Sequence, residues 1–267
     1  MYKLLATDFD GTLLNNLGAI PAANRLAIEK ALAAGVHICL ASGRSYLSLS
    51  PFEDELGLKT ARCHGIGFNG SMVYQTWDYT ILRDVRLDRG LAMDIIAALA
   101  PFKGDTVVYA GPTLYAKSDT EILRHYAERS GIEITFVDAF TDIHEDPAKV
   151  LIRADSALLH KMQAFMRPLF ADKCNIFLTE KNLLEFTAFS ADKGAALAFL
   201  AAHLGFGMDE VAAVGDNFND LPMIKEAGLG IAVANAEDLV QTTADVVTQA
   251  DNNAGAVAEV INRFILA

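Results

Sequence analysis

Short apolar runs that end in polar residues recur along the chain and predict buried strands. The runs KLLAT at 3–7, VHICLA at 36–41 and VAAV at 211–214 are all shorter than a typical helix. Between the first two runs, Pro21 and Gly35 stand where a helix would begin and end. Strands that alternate with helices in this way favour an α/β fold with a parallel sheet.

The pattern changes between about Asp84 and Ala188, where predicted hairpins are mixed with helices. One hairpin is expected to turn at Gly111-Pro112 and another at Lys181-Asn182. This mixture predicts an antiparallel α+β module inserted into the parallel one. We therefore expect a core domain made of 1–84 and 189–267 and an inserted domain at 85–188.

Length and composition describe a globular protein rather than a membrane protein. The chain has 267 residues, 52% of them hydrophobic and 21% charged, which suits two domains with a large core. No uninterrupted apolar run reaches the roughly 18 residues of a membrane span. Asp8 follows the N-terminus too closely for a signal peptide. We therefore expect a cytoplasmic protein that does not bind membranes.

Charge and cysteine usage exclude several classes of partner. The net charge of -12 disfavours binding to nucleic acid, although a small anion could still bind through a local cation or a metal. Cys39, Cys63 and Cys174 are scattered without CxxC spacing, so we expect reduced core residues. The six histidines are also dispersed, which argues against a histidine-ligated metal.

Polar residues follow the first two predicted strands. Asp8 and Asp10 stand at the end of the first strand, the edge at which open α/β sheets bind ligands, and Gly11 lets the chain turn there. Ser42 and Gly43 follow the second strand. The hydroxyl of Ser42 could hold a phosphate oxygen, but from this fragment alone an N-cap for the following helix is the better interpretation.

A lysine and an acidic turn accompany the later strands. Asp192 is a natural N-cap, which places Lys193 in the first turn of a helix, where the helix dipole disfavours a cation. Lys193 is therefore expected to face an anion. Asp216, Asn219 and Asp220 follow the strand at 211–214 and offer the oxygen ligands that hard divalent cations prefer.

The segment from Gly65 to Gly70 matches GxGxxG and invites a dinucleotide-binding interpretation. That fingerprint should lead from a strand into a helix, whereas SMVYQ at 71–75 predicts another strand. We therefore interpret Asn69-Gly70 as a tight hairpin turn.

These clusters together fit a magnesium-dependent reaction on a phosphate group. Magnesium takes oxygen ligands, and one or two carboxylates suffice because it keeps several waters. A metal and a lysine neutralise charge on the transferring phosphoryl group. A carboxylate nucleophile can accept that group, and a second carboxylic acid can protonate the leaving oxygen.

The chain resembles the haloacid dehalogenase superfamily. DFDGT at 8–12, Ser42, Lys193 and GDNFND at 215–220 occur in the order of that superfamily's four motifs. The order of elements is similar to that of its Cof-type, subclass IIB phosphatases, whose cap lies between the second and third motifs. The resemblance covers essentially the whole chain. It implies a Rossmann-like, doubly wound parallel-sheet core with an inserted α+β cap of the C2B type.

The resemblance also implies a magnesium site. Asp8 would be the nucleophile and a metal ligand, and Asp10 the general acid and base, with its backbone carbonyl on the metal. Asp216 would be the second acidic ligand, and Asp220 would support the waters of the metal. Thr12 would hold the geometry of the phosphate-binding motif.

The remaining motif residues are implied to hold the phosphate. Ser42 and the Gly43 backbone would bind phosphate oxygens together with Asn219, and Lys193 would stabilise both the nucleophile and the phosphoryl group. The chain departs from the family at Ser45, where relatives often have proline, and at Asp192, where they often have asparagine or serine. Neither departure touches an implied catalytic role.

Three functions remain open at this stage. The first is a phosphatase for small phosphorylated metabolites such as sugar phosphates or pyridoxal phosphate, working as a monomer or homodimer through an aspartyl phosphate. The second is a phosphomutase of the same superfamily. The third is a regulatory protein that accepts phosphate without hydrolysing it. Asp10 favours turnover, because it supplies a candidate acid.

Substrate specificity is expected to lie in the cap, because the core motifs grip only phosphate. The polar candidates lie either beside the phosphate-binding motif or in the cap. They are Arg44, Arg153, His160, Asn182 and Glu185. An ordinary exposed position is the simpler interpretation of each cap residue, since polar side chains are mostly exposed.

Overall fold

A computed structural model describes residues 2–180 and 182–267, which pack as two compact units. The core unit runs up to Asp84 and resumes at Asp192–Ala267, and the inserted unit is Val85–Ala191. The chain therefore divides at 84/85 and at 191/192, where the sequence predicted 84/85 and 188/189. Lys181, in one predicted hairpin turn, lies outside the described residues.

The strands are numbered along the chain. They are β1 Leu4–Asp8, β2 His37–Ala41, β3 Cys63–Gly67, β4 Met72–Gln75, β5 Ile81–Asp84, β6 Asp105–Ala110, β7 Thr113–Ala116, β8 Ile134–Phe136, β9 Lys149–Arg153, β10 Cys174–Glu180, β11 Leu183–Ala188, β12 Val211–Gly215, β13 Leu229–Ala232 and β14 Val246–Val247.

The α-helices are numbered in the same way. They are α1 Ala22–Ala33, α2 Tyr46–Glu55, α3 Arg89–Leu99, α4 Glu121–Ser130, α5 Ser156–Phe170, α6 Lys193–His203, α7 Leu221–Glu226, α8 Asp238–Thr243 and α9 Ala256–Val260. Shorter helical turns occupy Phe9–Leu13, Phe68–Gly70, Phe140–Asp142, Met208–Glu210, Phe218–Asp220 and Ile261–Ile265.

The core unit is built on a mixed sheet in the order β14-β13-β12-β1-β2-β3-β4-β5. The strands from β14 to β3 pair in parallel, and β4 and β5 add an antiparallel edge. All five residues of β1 are buried, which explains its continuous apolar run, because parallel strands are covered on both faces. The predicted parallel α/β core is confirmed.

The antiparallel edge of this sheet was predicted from the sequence at β4 but not at β5. Gly65–Gly70 leads from β3 through a tight turn into the antiparallel β4, so the hairpin interpretation is right and no dinucleotide fingerprint is formed. Asn69 adopts φ +57°, a conformation that asparagine tolerates. The sequence did not predict β5, because ILRD is two apolar residues followed by two charged ones and lacks the alternation that indicates a strand.

The inserted unit has a sheet in the order β10-β11-β9-β6-β7-β8. Its pairs are antiparallel except for β7 with β8, as expected for an α+β module. One face carries Val150, Ile152 and Phe186, which share a hydrophobic core with Met162 of α5. The residues that alternate with these form the opposite face, which includes Leu151 and Leu183 and is called the polar face because it also carries Lys149, Arg153 and Glu185. α4 packs on this face through Tyr126.

Two further observations bear on the expectations from composition. Cys39, Cys63 and Cys174 are buried free thiols, as the sequence predicted. None of the helices in the described ranges is both long and apolar enough to cross a membrane.

Candidate active site

Three neighbouring strands deliver polar residues to one edge of the core sheet. Asp8 is the last residue of β1, Ser42 directly follows β2, and Asp216 directly follows β12. Because β1 lies between β12 and β2, these positions meet where the strand order reverses. Crevices at such reversals are where open α/β sheets bind ligands. Residues more than 200 positions apart in sequence are thereby brought together, as the bond between Thr12 and Asp216 shows.

Lys193 lies between two aspartates at this edge. Its Nζ donates to Asp8 Oδ1 at 2.5 Å and to Asp220 Oδ1 at 2.6 Å. Asp192 caps α6 by accepting from the backbone of Ala195 at 2.8 Å, so Lys193 stands in the first turn as predicted. The side chains of Lys193 and Asp220 are completely buried, and that of Asp8 is nearly so. The unfavourable dipole position of the lysine is thus offset by two carboxylates.

Burial and like charge dominate the electrostatics of this cluster. Burial raises the pKa of Asp8, and Asp220 raises it further, while Lys193 acts in the opposite direction. Burial and Asp220 raise the pKa of Asp216 to about 6. Burial opposes the charged form of Lys193, but Asp220 and Asp8 keep its pKa above the usual value. Three carboxylates against one ammonium leave the cluster with an excess of negative charge.

Asp216 is held by the turn that follows β1. Thr12 Oγ1 donates to Asp216 Oδ1 at 2.6 Å. Gly11 adopts φ +81°, and a Cβ at that position would lie 2.6 Å from Asp216 Oδ2. The residue at position 11 must therefore be glycine both for its backbone conformation and for the space that Asp216 occupies.

The three carboxylates could hold a divalent cation. One oxygen each from Asp8, Asp216 and Asp220 lies within 4.8 Å of the others. Asp220 is already engaged, because Oδ1 accepts from Lys193 and Oδ2 accepts from the backbone N-H groups of Asp216 and Asn217, both at 3.0 Å. This hard-oxygen donor set and its surplus negative charge fit a magnesium ion. Asp220 is better suited to fixing the turn and the lysine than to direct ligation.

Ser42 does not cap the helix that follows it. Ser45 caps α2 instead, since its side chain accepts from Ser48 N at 3.2 Å, so the N-cap interpretation of Ser42 is wrong. The buried hydroxyl of Ser42 accepts from the Arg44 backbone at 3.1 Å, and its carbonyl accepts from Asn69 N at 3.0 Å. The Ser42 hydroxyl is therefore held at the strand end, beside a glycine.

Asn69 is a residue of this site that the sequence analysis interpreted only as part of a turn. Its Oδ1 accepts from Asn219 Nδ2 at 3.0 Å, which joins the turn after β3 to the turn after β12. A Cβ on Gly43 would lie 3.0 Å from the same Asn69 oxygen. The hairpin signal of Asn69-Gly70 hid this role, because a turn and a ligand-facing amide use the same residue type.

Arg44 contacts Asp10 rather than standing free for a substrate. Its Nε donates to Asp10 Oδ2 at 2.8 Å, and a terminal nitrogen donates to Oδ1 at 2.6 Å. The Arg44 guanidinium also packs over the Phe9 ring, 5.0 Å from its centroid. Asp10 is exposed, unlike Asp8, so the two aspartates of the motif occupy different environments. Such a difference suits different chemical roles.

The four specificity candidates in the inserted unit do not lie on one side of its sheet. Arg153 and Glu185 are buried on the polar face of its sheet, and Asn182 lies in the turn before β11, where its carbonyl accepts from Ala154 N at 3.4 Å. His160 is exposed on α5, the helix packed against the opposite face, so the structure does not group it with the others.

Glu185 has a partner that the sequence did not predict. Lys149 Nζ donates to Glu185 Oε1 at 3.0 Å, and both side chains are almost fully buried. Lys149 begins β9 directly before an apolar run, which resembles an exposed strand end. Only the register of β9 against β11 reveals the pair, because neither residue has a sequence signal for the other.

Comparisons with known proteins identify relatives along the whole chain. A family model described as haloacid dehalogenase-like hydrolase matches residues 5–261. The phosphatase YcsE of Bacillus subtilis, named for 5-amino-6-(5-phospho-D-ribitylamino)uracil, is 29% identical over 99% of this chain and 96% of its own. Phosphatase YwpJ of the same organism is 26% identical over 95% of this chain and 96% of its own.

Solved structures that resemble this chain include a member of the same family. A haloacid dehalogenase-like hydrolase from Bacteroides thetaiotaomicron superposes with a TM-score of 0.89 at 29% identity, covering 98% of this chain and 99% of its own. TM0651 from Thermotoga maritima superposes with a TM-score of 0.86 at 30% identity, covering 99% of this chain and 98% of its own.

Proposed function

The chain belongs to the haloacid dehalogenase-like hydrolase family, and on that premise we propose that it is a magnesium-dependent phosphatase that hydrolyses small phosphorylated metabolites through an aspartyl phosphate. The observation that carries this proposal is the buried Asp8 within 2.5 Å of Lys193, beside two further carboxylates at the switch point of the sheet. A nucleophile, a cation and oxygen ligands are thereby available to one phosphate group.

In the proposed first step, a carboxylate oxygen of Asp8 attacks the phosphorus of the ester. The bond from Asp8 to phosphorus forms as the bond from phosphorus to the leaving oxygen breaks, and Asp10 gives its proton to that oxygen. Lys193 favours the ionised form of Asp8 through their contact at 2.5 Å and so opposes the rise in pKa that burial and Asp220 cause. The products are an alcohol and a phosphorylated Asp8.

In the proposed second step, water hydrolyses the phosphorylated Asp8. The oxygen of water attacks phosphorus, its proton passes to the Asp10 carboxylate, and the bond from phosphorus to Asp8 breaks. Inorganic phosphate leaves, and both aspartates return to their starting forms. One residue thus serves as acid and then as base, so Asp10 must be able to exchange protons with its surroundings. Its exposure is consistent with that requirement.

Phosphate binding is assigned to groups from three turns. The Ser42 hydroxyl, the backbone of Gly43 and the Asn219 amide are proposed to bind phosphate oxygens, together with Lys193. The bond of 3.0 Å between Asn69 and Asn219 supports this proposal, because it fixes an amide that would otherwise rotate freely. Thr12 contributes indirectly by holding Asp216.

The proposed metal site uses Asp8, Asp216 and the backbone carbonyl of Asp10. A bound magnesium would neutralise charge on the phosphoryl group. The surplus negative charge of the three clustered carboxylates supports this assignment. Asp220 is proposed to support the site through Lys193 and the Asp216 backbone.

We propose that substrate selection depends on the polar face of the inserted unit, and that Arg44 contributes through its contact with Asp10. Arg153, Asn182 and Glu185 are the candidates that lie on or beside that face. A starting panel combines the sugar phosphates and pyridoxal phosphate expected from the sequence with the phosphorylated ribitylaminouracil for which YcsE is named.

The test is phosphate release across that panel, with magnesium and with EDTA. The native protein should release phosphate only with magnesium, and Asp8→Asn should abolish release, whereas Asp54→Asn, which changes an exposed aspartate, should not. Acid quenching should trap a phosphoryl group on the peptide that contains Asp8. Release that survives both EDTA and Asp8→Asn would refute the proposal, and an isomeric phosphate ester in place of free phosphate would establish a phosphomutase.

A further inference from the structure

Among the residues whose side chains the structure describes, Arg153 is a buried cation without an ion-pair partner. It is the last residue of β9, it is 8% exposed, and its Nε is buried without a hydrogen-bond partner. Apart from residues 1, 129, 130, 180 and 181, whose side chains are not described, no residue forms a hydrogen bond or an ion pair with its guanidinium. It stacks on the Tyr126 ring, 4.9 Å from its centroid. Arginine cannot lose its proton in a protein, and an unpaired buried charge is strongly unfavourable.

Two described carboxylates of the sheet lie near Arg153, and neither forms an ion pair with it. Asp105 stands opposite Arg153 in the register of β6 and β9, but its carboxylate accepts from Thr120 Oγ1 at 3.1 Å. Glu185 accepts from Lys149 at 3.0 Å and so already has a cation. Lys149 and Glu185 therefore form an ion pair on this face, whereas Arg153 has no described carboxylate in contact with its guanidinium.

A second polar atom is unsatisfied at the same end of the sheet. Thr179, near the end of β10, has a buried Oγ1 without a partner among the described residues. The strand order β10-β11-β9 puts Thr179, the start of β11 and Arg153 along one end of the sheet. A cation and a hydroxyl that both lack partners indicate a place for an acceptor group.

We propose that Arg153 binds an oxyanion, a carboxylate or phosphate group, of a small molecule. The guanidinium presents a planar fork of donors that matches two oxygens of such a group, and the Tyr126 ring fixes the plane of that fork. The oxyanion has two chemical sources. It belongs either to the leaving portion of the substrate, which rests on the proposed function, or to a separate acid that binds the inserted unit.

The first arm of the test compares matched phosphate esters. The pairs are 3-phosphoglycerate with glycerol 3-phosphate and 6-phosphogluconate with glucose 6-phosphate, which differ in a carboxylate. If the oxyanion belongs to the substrate, the native protein should have the higher kcat/KM for the acidic member. Arg153→Met should lower kcat/KM for that member about 10- to 100-fold, the range for a lost charge-assisted hydrogen bond, and change the neutral member less than about twofold.

The second arm measures binding without turnover. Succinate should raise the melting temperature of the native protein, while uncharged 1,4-butanediol should not, and Arg153→Met should remove the succinate effect. A succinate effect that depends on Arg153, together with unchanged ester selectivity, would assign the site to a separate acid. If no ester is hydrolysed by the native protein, the proposed phosphatase function fails while this arm still tests the anion site.

Two controls separate binding from a structural role. Arg124→Met changes an exposed arginine of the inserted unit that pairs with Asp119, and it should alter neither arm. Without ligand, Arg153→Met should be at least as stable as the native protein, because it removes an unpaired buried charge. Arg153→Lys keeps the charge but not the fork, and it should show intermediate selectivity or binding. The proposal would be overturned if Arg153→Met were less stable than the native protein while the stable Arg153→Lys variant kept the native ester selectivity and the native response to succinate.

Discussion

The guanidinium of Arg44 holds both carboxylate oxygens of Asp10, with nitrogen to oxygen distances of 2.8 and 2.6 Å. Arg44 is the side chain that fixes Asp10, whose own side chain is 55% exposed. As the proposed acid, Asp10 must release one of these contacts to carry a proton to the leaving group. The pair therefore holds Asp10 in place between turnovers and has to open during each one.

Removing Arg44 should impair the chemical step. Arg44→Met is expected to lower kcat about tenfold, because an exposed Asp10 without its partner samples several rotamers and loses its alignment. Steady-state kinetics on a hydrolysed ester would measure this. Arg25→Met is the matched control, since Arg25 makes a similar surface pair with Glu55 away from the site. An unchanged kcat would show that Asp10 needs no such positioning.

Removing the carboxyl group of Asp10 should stop the reaction after its first half. With p-nitrophenyl phosphate, whose leaving group needs little protonation, Asp10→Asn should release a burst of about one equivalent of nitrophenol and then turn over slowly. Rapid-mixing absorbance measurements would resolve the burst. The native protein is the control, and steady turnover without a burst in the variant would contradict the dual role of Asp10.

The buried lysine should have a large effect on stability. Lys193→Met leaves Asp8 and Asp220 without their cation and should cost about 3–5 kcal/mol of unfolding free energy at neutral pH without magnesium. Adding Asp220→Asn should recover part of that loss, because one stranded charge is removed. Urea unfolding would give these values, with the exposed Lys225→Met as control. A double variant no more stable than Lys193→Met would refute the charge argument.

Magnesium should stabilise the protein through the same cluster. At a hundred times its dissociation constant, a ligand specific to the folded state adds about 2.7 kcal/mol. Asp216→Asn should lose most of this gain, while Asp238→Asn, which changes an exposed residue, should keep it. Thermal unfolding with magnesium and with matched sodium chloride would measure the difference. Equal magnesium shifts in all three proteins would exclude Asp216 as a ligand.

His64 should make the stability depend on pH. Burial lowers its pKa to about 4, with contributions from His37 and His203, while in the unfolded chain it titrates near 6.5. The unfolded state therefore binds the extra proton first, so stability is full above about pH 6.5 and falls as the pH drops towards 4. The loss is about 3 kcal/mol on that shift.

Replacing His64 tests this assignment. His64→Gln should flatten the stability curve between about pH 6.5 and 4, whereas His125→Gln, at an exposed position, should leave its shape unchanged. Chemical unfolding at several pH values would give the curves. Burial also lowers the pKa of His37, so in the His64→Gln variant a smaller fall of stability towards low pH should remain. An unaltered curve in His64→Gln would contradict the prediction.

The sequence predicted the parts of this molecule that obey local rules. Strand ends with polar residues located Asp8, Ser42 and Asp216, because parallel strands deliver their ends to one edge. Lys193 was found through a conflict, since a lysine in the first turn of a helix needs an anion to explain it. Such conflicts between a residue and its local structure are expected at functional sites.

The parts that the sequence did not predict depend on register and on distant partners. The bond between Asn69 and Asn219 joins turns 150 positions apart, and the pair of Lys149 with Glu185 exists only because β9 lies beside β11. Neither pair has a spacing that a sequence pattern could show. Ser42 shows a different error. The rule that serine caps helix N-termini is valid here, but the residue that caps α2 is Ser45, three positions later.

The discontinuity of the core unit has a consequence for biosynthesis. The inserted unit is one continuous stretch, Val85–Ala191, so it can fold as soon as it leaves the ribosome. β1 is made first but must wait for β12 before one of its edges is paired. Until then, a hydrophobic strand edge is open to other chains, which is a hazard for aggregation. Conditions that slow translation between the two halves of the core should therefore lower soluble yield more than activity per folded molecule.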